Sequence, residues 1–253
     1  MKPNELSVVL TGATGGVGAA LARQLVARGA RVLLVARTAA PLAALARALA
    51  REDDNRHRVD ALAADVTSTS ARRGIRDAAI ARNVNALINA ASCGEPGPLQ
   101  AMEGGHIDAV LQTNLVAPIQ LTRSLLPHLL QARAARVLSI GATPGRIAPP
   151  GTAALTASQA GLRSFCTALR RDLADTTVRV QFLGRSSAVR ESAALPDYVA
   201  GVALRMLLAG SSERLLHPNG AWLDRLDAMA PMWLNDLLDR STGTRRRRKT
   251  APT

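Results

Sequence analysis

Short apolar runs that alternate with longer amphipathic segments constrain the fold of this chain more than any other feature of its sequence. Six of these runs are typical of buried strands, at 6–11, 31–36, 59–64, 85–91, 135–141 and 178–184. The segments between them carry apolar residues at helical spacing, at 16–28, 40–51, 68–82, 99–132 and 153–174. Strands that alternate with helices predict a parallel sheet covered on both faces. We therefore expect an α/β fold with a doubly wound parallel sheet, the three-layer α/β/α Rossmann arrangement.

No linker interrupts this pattern before residue 240, so residues 1–240 are predicted to form a single domain. Pro118 falls inside the long helical segment and predicts a kink there, because proline cannot donate the helical hydrogen bond. Beyond the sixth strand we expect helices near 195–209 and 221–239, with a short apolar run at 214–218 between them.

The C-terminal residues 241–253 differ from the rest of the chain in their charge. They hold the run RRRRK at 245–249, which supplies five positive charges in a chain of net charge +13. Such a run among Thr, Gly and Pro predicts a disordered, solvated tail; the alternative is attraction to nucleic acid or anionic lipid. No aromatic residue interleaves the run to stack on single strands. We therefore expect neither nucleic acid nor a membrane as a partner.

The two cysteines, Cys93 and Cys166, are too few for a disulfide framework, and neither belongs to a CxxC pair or a Cys/His cluster. No metal site is indicated. The chain start lacks the long apolar run of a signal peptide, and no window reaches the roughly 18 apolar residues that span a bilayer. These features predict a cytoplasmic protein.

A glycine-rich turn, TGATGGVG at 11–18, links the first strand to the first helix. Glycines let the chain turn sharply and bring its backbone close to a pyrophosphate, while the helix N-terminus offers free N–H groups to that anion. The alternative is a purely structural turn. The residues of this turn that we expect to contact a dinucleotide are Gly12, Thr14, Gly16, Val17 and Gly18.

The residues at the ends of the second and third strands indicate which dinucleotide, NAD or NADP, the chain would bind. An NAD site carries an acidic residue after the second strand, whereas this chain has Ala36 and Arg37 there. A guanidinium suits a 2′-phosphate, so NADP(H) is favoured; the alternative is an Arg that only faces solvent. After the third strand, Asp65 with Val66 is placed to accept a hydrogen bond from the adenine amino group. Alternatively, Asp65 caps the next helix.

Several motifs, in order, resemble the classical short-chain dehydrogenase/reductase family over residues 5 to about 183. The glycine turn fits the family pattern T-G-x-x-x-G-x-G. The stretch LINAAS at 87–92 is similar to the family's N-N-A-G and keeps Asn89. The stretch TNLVAPIQLTRSLLP at 113–127 resembles the helix that carries the family's Asn, here Asn114. DRLDAMAPMWLNDLLDR near the C-terminus is similar to one bacterial branch of the family.

The resemblance implies a serine after the fifth strand and Y-x-x-x-K on the following helix, where the tyrosine transfers a proton, the lysine lowers its pKa and holds the nicotinamide ribose, and the serine orients the carbonyl. Alignment of ALTASQAGL places Leu155 at the tyrosine and Gln159 at the lysine. Ala142, 13 residues before Leu155, takes the serine position. None of the three supplies the expected chemistry. Asn114 is retained, in the family role of holding a water near the lysine.

Other groups near these positions are weak substitutes. Hydroxyls at Ser139, Thr143, Thr156 and Ser158 are poor acids near neutral pH without assistance. Tyr198, the only tyrosine, is expected to serve in helix packing or cleft lining rather than as the acid. Cys93, which follows the fourth strand, is expected to be an ordinary buried thiol rather than a group near the cofactor.

Three hypotheses follow. The first is an NADP(H)-binding member of the family without the usual carbonyl reduction, which acts as a sensor, a scaffold or a partner of an active homologue. Its affinity is weakened by the missing lysine and partly restored by Gln159. A homodimer, homotetramer or heterodimer with an active homologue is expected through the helices near 114–132 and 153–174. The second is an NADPH-dependent oxidoreductase with a non-standard active site, and the third is a nucleic-acid or membrane protein that uses its basic tail.

Overall fold

A seven-stranded parallel sheet forms the centre of the protein, in the order β3-β2-β1-β4-β5-β6-β7. The structure, a computed structural model, describes residues 1–51, 57–142, 150–185 and 195–216. The strands are β1 (Ser7–Thr11), β2 (Arg31–Ala36), β3 (Val59–Ala63), β4 (Ala86–Asn89), β5 (Ala135–Ala142), β6 (Val178–Arg185) and β7 (Glu213–Leu216). The order is that of a doubly wound sheet, so the predicted fold class is confirmed.

Helices cover both faces of this sheet. They are α1 (Gly16–Val26), α2 (Ala39–Arg51), α3 (Thr69–Ala81), α4 (Gly104–Leu111), α5 (Ala117–Leu129), α6 (Ala153–Asp172) and α7 (Leu195–Ala209). One buried cluster joins α1, α2 and α7 to Val8 and Leu10 of β1. The other joins α3, α5 and α6 to Val9. Successive residues of β1 therefore enter opposite cores, as expected for a central strand buried on both faces.

The long helix expected over 99–132 is divided into four elements. A 3₁₀ turn, Leu99–Ala101, precedes α4, and a π-helical turn at Gln112–Val116 joins α4 to α5. The irregularity therefore lies before Pro118 rather than at it. Because the proline ring would meet the carbonyl four residues back, the hydrogen bonding widens in the preceding turn. There the Ala117 N–H donates to the Gln112 carbonyl.

The far edge of the sheet is held by two buried polar side chains. Arg136 of β5 donates to the Leu207 carbonyl at the end of α7 (3.0 Å), and burial lowers its pKa. Gln181 of β6 donates to the carbonyls of Met206 and Ser211. These bonds place α7 so that β7 pairs with β6, and the apolar run expected at 214–218 begins as this seventh strand. The helix expected at 221–239 and the basic tail at 241–253 lie outside the described residues.

Candidate functional site

The strand order reverses direction at β1, because β2 lies on one side of β1 and β4 on the other. In open α/β sheets, ligands bind in the crevice at the carboxyl ends of the strands beside such a switch point. A cavity of about 260 Å³ opens there, lined by residues that follow each of the first four strands. Thr113 of the π-helical turn completes its wall. Of the residues predicted to bind a dinucleotide, the cavity is lined by Gly12, Thr14, Arg37, Asp65 and Val66.

The glycine turn is pressed against the start of the loop that follows β4. Gly12 has φ +67°, and a Cβ built on it would lie 2.6 Å from the backbone of Ala90 and Ala91. A Cβ on Gly18 would overlap the Gly12 carbonyl. The hydroxyl of Thr11 accepts hydrogen bonds from the Ala90 and Ala91 N–H groups at 3.2 and 3.4 Å. Glycine at 12 and 18 thus lets two backbone segments meet, which fixes the floor of the cavity.

The N-terminus of α1 faces the cavity at Gly15, a residue that was not among those predicted from the sequence to contact a dinucleotide. Gly15 is the N-cap of α1 and lines the cavity, and no side chain among the described residues caps the first turn. Its neighbour Gly16 instead faces the start of α7, where a Cβ would lie 3.4 Å from Pro196. Val17 packs against the apolar cluster. The partial positive charge of this helix end therefore reaches the cavity, where it can hold an anion.

Arg37 and Asp65 lie on the wall of the cavity formed by the ends of β2 and β3. One carboxylate oxygen of Asp65 accepts hydrogen bonds from the backbone N–H and the hydroxyl of Thr67, at 2.9 and 2.8 Å. The backbone hydrogen bond is the largest cause that lowers the pKa of Asp65; the hydroxyl and the charge of Arg37 add to it, and desolvation opposes it. The helix α3 is capped by Ser68, whose hydroxyl accepts from Ala71 N–H. The alternative that Asp65 caps this helix is therefore wrong: Asp65 holds the turn before the cap.

Asn89 lies beneath the cavity. It is buried at the end of β4, and its amide is 3.5 Å from the Thr122 hydroxyl of α5. With Thr11 and Thr113 it borders a second, smaller gap in the packing. Its amide therefore connects the sheet to α5, and a contact between Asn89 and a dinucleotide stays a prediction.

The positions that the sequence predicts to align with the family's serine, tyrosine and lysine lie at the end of β5 and on α6. Ala142 is the last residue of β5 and is paired with Arg185 of β6. Gln159 is only 2% exposed, and its Oε1 occupies the place that a Cβ of residue 141 would take. Leu155, one turn earlier on α6, lies beside Gly94. Leu155 and Gln159 are thus packed against glycines, an arrangement with no signal in the sequence.

Asn114 connects three elements through its side chain. Its Oδ1 accepts from the Cys93 N–H at 2.9 Å, and its Nδ2 donates to the Cys93 carbonyl at 2.8 Å. The same Nδ2 donates to the Ser158 hydroxyl at 3.3 Å, which in turn donates to the Leu155 carbonyl. Both amide protons of Asn114 are used inside the protein, so its role in holding a water stays a prediction.

The candidate substitutes that the structure describes are paired with neutral groups or lie apart from these positions, and Thr143 lies outside the described residues. The hydroxyl of Thr156 is 3.0 Å from that of Thr152. Ser139 is fully buried near Cys166, where burial raises the pKa of the Cys166 thiol to about 11. Cys93 is half-buried rather than fully buried, with its thiol directed at the Ala109 carbonyl. Tyr198 of α7 is 57% exposed.

The described ranges of the chain hold no group of three or more His, Cys, Asp or Glu side chains placed to share a metal ion. None of their helices combines the length and the apolar character that a membrane span requires.

Comparison with known proteins gives matches over most of the described chain. The family model for short chain dehydrogenases matches residues 7–185. The ketoacyl reductase HetN of Nostoc sp. is 30% identical over 176 residues, which is 69% of this chain and 60% of that protein. A very-long-chain 3-oxoacyl-CoA reductase of Laccaria bicolor is 28% identical over 252 residues, covering 91% of this chain and 70% of that one. A metagenomic short-chain oxidoreductase, solved in complex with NADP, is 30% identical with a TM-score of 0.76, covering 86% of this chain and 98% of that chain.

Proposed function

Because the chain belongs to the short-chain dehydrogenase/reductase family, we propose that it binds NADP(H) at the carboxyl edge of its sheet without the family's usual carbonyl reduction. The observation that supports the proposal is an open cavity lined by Gly12, Gly15 and Arg37, where phosphates would lie. The sequence adds that leucine and glutamine stand at 155 and 159, the positions that we align with the family's proton donor and its activator. The protein would then act as a sensor, a scaffold or a partner of an active homologue.

The preference for NADP(H) rests on charge at two places in the cavity. The free end of α1 at Gly15 suits the pyrophosphate. Arg37, at the end of β2, offers a guanidinium where a 2′-phosphate would lie, and no acidic residue stands in its place. The NADP complex of the metagenomic relative supports the same cofactor here. The absence of the family's lysine leads us to expect weak binding, at micromolar concentrations or above.

The loss of turnover follows from the chemistry of the replaced groups. General acid–base assistance contributes about 10²–10⁴-fold to a rate. Leucine at 155 carries no proton to give, and glutamine at 159 carries no charge that could lower the pKa of a neighbour. The nearby hydroxyls of Ser158 and Thr156 are bound to neutral groups. A bound cofactor would then lack a partner for proton transfer.

Titration calorimetry with NADPH, NADP⁺ and NADH tests the proposal on the wild type and on Arg37→Ala. We expect NADPH and NADP⁺ to bind more tightly than NADH, and the Arg37→Ala protein to lose at least about tenfold of the NADPH affinity, or 1.4 kcal/mol. Arg31→Ala is the matched control, because Arg31 is exposed at the opposite end of the same strand. No binding of any dinucleotide, or equal losses in the two variants, would refute the proposed cofactor site.

The alternative function is an NADPH-dependent oxidoreductase with a non-standard active site. The retained Asn114 and the intact glycine turn favour it. Oxidation of NADPH in the presence of a panel of ketones and aldehydes distinguishes the two functions. Saturable turnover that disappears with a substitution at Gly15 would establish the alternative, and a rate equal to the uncatalysed one supports the first proposal.

Assembly is proposed to involve α5 and α6. The outward face of α6 carries only small side chains over three turns, which would let a second helix approach closely: Ala157, Ala160, Ser164 and Ala168. We propose a homodimer or homotetramer through this face, with a heterodimer formed with an active homologue as the alternative. Light scattering on the wild type and on Ala160→Glu tests it, since a buried carboxylate should leave monomers. A monomeric wild type would leave only the heterodimer.

A further inference from the structure

The turn between β3 and α3 is held by an arginine that does not line the cavity. Arg72, near the start of α3, directs its guanidinium back along the chain. Its Nη1 donates to the carbonyls of Val66 and Thr67 at 2.8 and 2.7 Å, and its Nη2 donates to the Thr69 hydroxyl at 3.0 Å. Within the described chain, the Arg72 side chain makes no other hydrogen bond. Because a charged donor forms stronger hydrogen bonds than a neutral one, these contacts hold the turn firmly.

The neighbouring arginines of α3 make no comparable contacts. Arg73, the next residue, is exposed and has no hydrogen bond or ion pair within the described chain. Arg76 forms an ion pair at 2.7 Å with Asp77, the residue beside it, and both side chains are exposed. Arg72 therefore differs from the solvated charges around it, since its guanidinium is committed to one short turn.

The carbonyls that Arg72 binds belong to a turn that forms one wall of the cavity. Asp65 and Val66 line this wall. Asp65 is tied to Thr67, whose N–H and hydroxyl both donate to Oδ1 of its carboxylate. Its Oδ2 accepts no hydrogen bond from a described residue, so this oxygen can accept one from a ligand. Arg72 therefore reaches Asp65 through Thr67, the residue that both of them bind.

We propose that Arg72 is a positioning residue for the base of the dinucleotide, because it fixes the turn at 65–69 and keeps a carboxylate oxygen of Asp65 available to the adenine amino group. Without this brace, the turn would adopt several arrangements. The apparent affinity for a ligand falls in proportion to the fraction of the protein that holds the binding arrangement. Arg72 raises that fraction without touching the ligand. This inference rests on the proposed function, to which it adds a residue outside the cavity.

Calorimetry on the full chain with two dinucleotides tests this role. The first is NADP⁺, and the second is nicotinamide hypoxanthine dinucleotide phosphate, in which a carbonyl oxygen replaces the amino group of adenine. We expect the wild type to bind NADP⁺ at least about fivefold more tightly than the analogue, or 1 kcal/mol. In Arg72→Gln the dissociation constant should rise at least about fivefold for NADP⁺ and less than about twofold for the analogue, which has no amino group to donate to Asp65.

Arg73→Gln is the matched control, because it removes an exposed arginine from the next position and leaves the turn intact. It should bind both dinucleotides as the wild type does. Equal losses for both ligands in folded Arg72→Gln would assign Arg72 to general stability and overturn the inference, as would NADP⁺ binding unchanged from the control. A wild type that binds both ligands equally also overturns it, while the proposed cofactor site stands. If the wild type binds neither, the proposed function fails and the inference fails with it.

Arg72→Lys tests whether the bonds to the carbonyls are responsible. A lysine ammonium can donate to the carbonyls of Val66 and Thr67 but lacks the second nitrogen that reaches Thr69. We expect this variant to keep the preference for NADP⁺ within about twofold of the wild type. A folded lysine variant that binds NADP⁺ as weakly as Arg72→Gln does would overturn the inference.

Thr67→Val tests the same link without a change at Arg72. It removes the hydroxyl that donates to Asp65 at 2.8 Å. We expect it to lower the preference for NADP⁺ over the analogue by at least about twofold, because Asp65 loses part of its attachment to the turn. An unchanged preference would overturn the inference whether or not Arg72→Gln folds, and thermal unfolding of each variant establishes its folded state.

Discussion

The substitution Gly15→Asp separates folding from anion binding at the N-terminus of α1. Gly15 has φ −70° and ψ 159°, which any residue adopts, and among the described residues a Cβ there would meet the Gly12 carbonyl alone, at 3.4 Å. Aspartate is a favoured N-cap, so it should accept a hydrogen bond from the first turn and interact well with the helix dipole. We expect the variant to be more stable than the wild type by about 0.5–1 kcal/mol.

The same carboxylate should oppose the binding of a phosphate. It would accept hydrogen bonds from the N–H groups that the phosphate would otherwise use, and its negative charge would lie close to that of the phosphate. Two unit charges about 4 Å apart repel by about 4 kcal/mol at an effective dielectric constant near 20. Solvent in the open cavity screens part of this repulsion, and we assume that about half of it remains. A loss of about 2 kcal/mol corresponds to roughly thirtyfold weaker binding of NADPH.

Calorimetry with NADPH and thermal unfolding on the same samples measure the two effects. Gly15→Asn is the matched control, because asparagine has the same shape and is an equally good N-cap without the charge. We expect the Asp variant to bind at least about tenfold more weakly than the Asn variant, and this difference to shrink in 1 M salt. If the folded Asp variant binds NADPH as tightly as the Asn variant does, no phosphate lies at the end of α1 and the reasoning is refuted.

Three further outcomes follow from the buried contacts. Burial raises the pKa of the Cys166 thiol to about 11 from an ordinary 9.0, so between these two pH values the thiol keeps its proton in the folded state and loses it in the unfolded state. The free energy of unfolding should therefore be fully present below pH 9 and fall by about 2–3 kcal/mol between pH 9 and 11. Urea unfolding against pH should show this loss in the wild type and in Cys93→Ala, and a loss of the same size in Cys166→Ala would contradict it. Gly141→Ala should cost about 1 kcal/mol in the wild type, the lower end for an added core methyl, because its Cβ meets the end of the flexible Gln159 side chain, and under about 0.5 kcal/mol with Gln159→Ala; additive losses in this double-mutant cycle would argue against the contact. Arg136→Met should lower the free energy of unfolding by about 1–3 kcal/mol because it leaves the Leu207 carbonyl without its donor, and an equal loss in the exposed control Arg179→Met would show that the position has no special role.

The sheet could be predicted from the sequence because its strands are continuous apolar runs between amphipathic segments. The six expected strands differ from the observed ones by at most two residues at either end, as at 85–91 against Ala86–Asn89. The seventh strand, Glu213–Leu216, could not be predicted as a strand, because it is only four residues long and its side chains do not alternate between apolar and polar. It forms because Arg136 and Gln181 hold the end of α7 beside β6, which is a tertiary effect.

The parts of the candidate site that follow from backbone conformation could be predicted from the sequence. The parts that follow from side-chain packing between separate elements could not. The glycine turn has a recognisable spacing, yet its geometry turns Gly16 toward Pro196 and leaves Gly15 at the cavity. The π-helical turn that buries Asn114 depends on how a later proline is accommodated. The contact between Gly141 and Gln159 joins residues on different elements, and neither residue type announces it.

That contact also couples two positions as the sequence changes over generations. With glutamine at 159, a side chain at 141 reaches the volume that the amide oxygen occupies, so the glutamine must turn aside. With a shorter residue at 159, the same substitution meets no such oxygen. The cost of a change at either position therefore depends on which residue the other position holds.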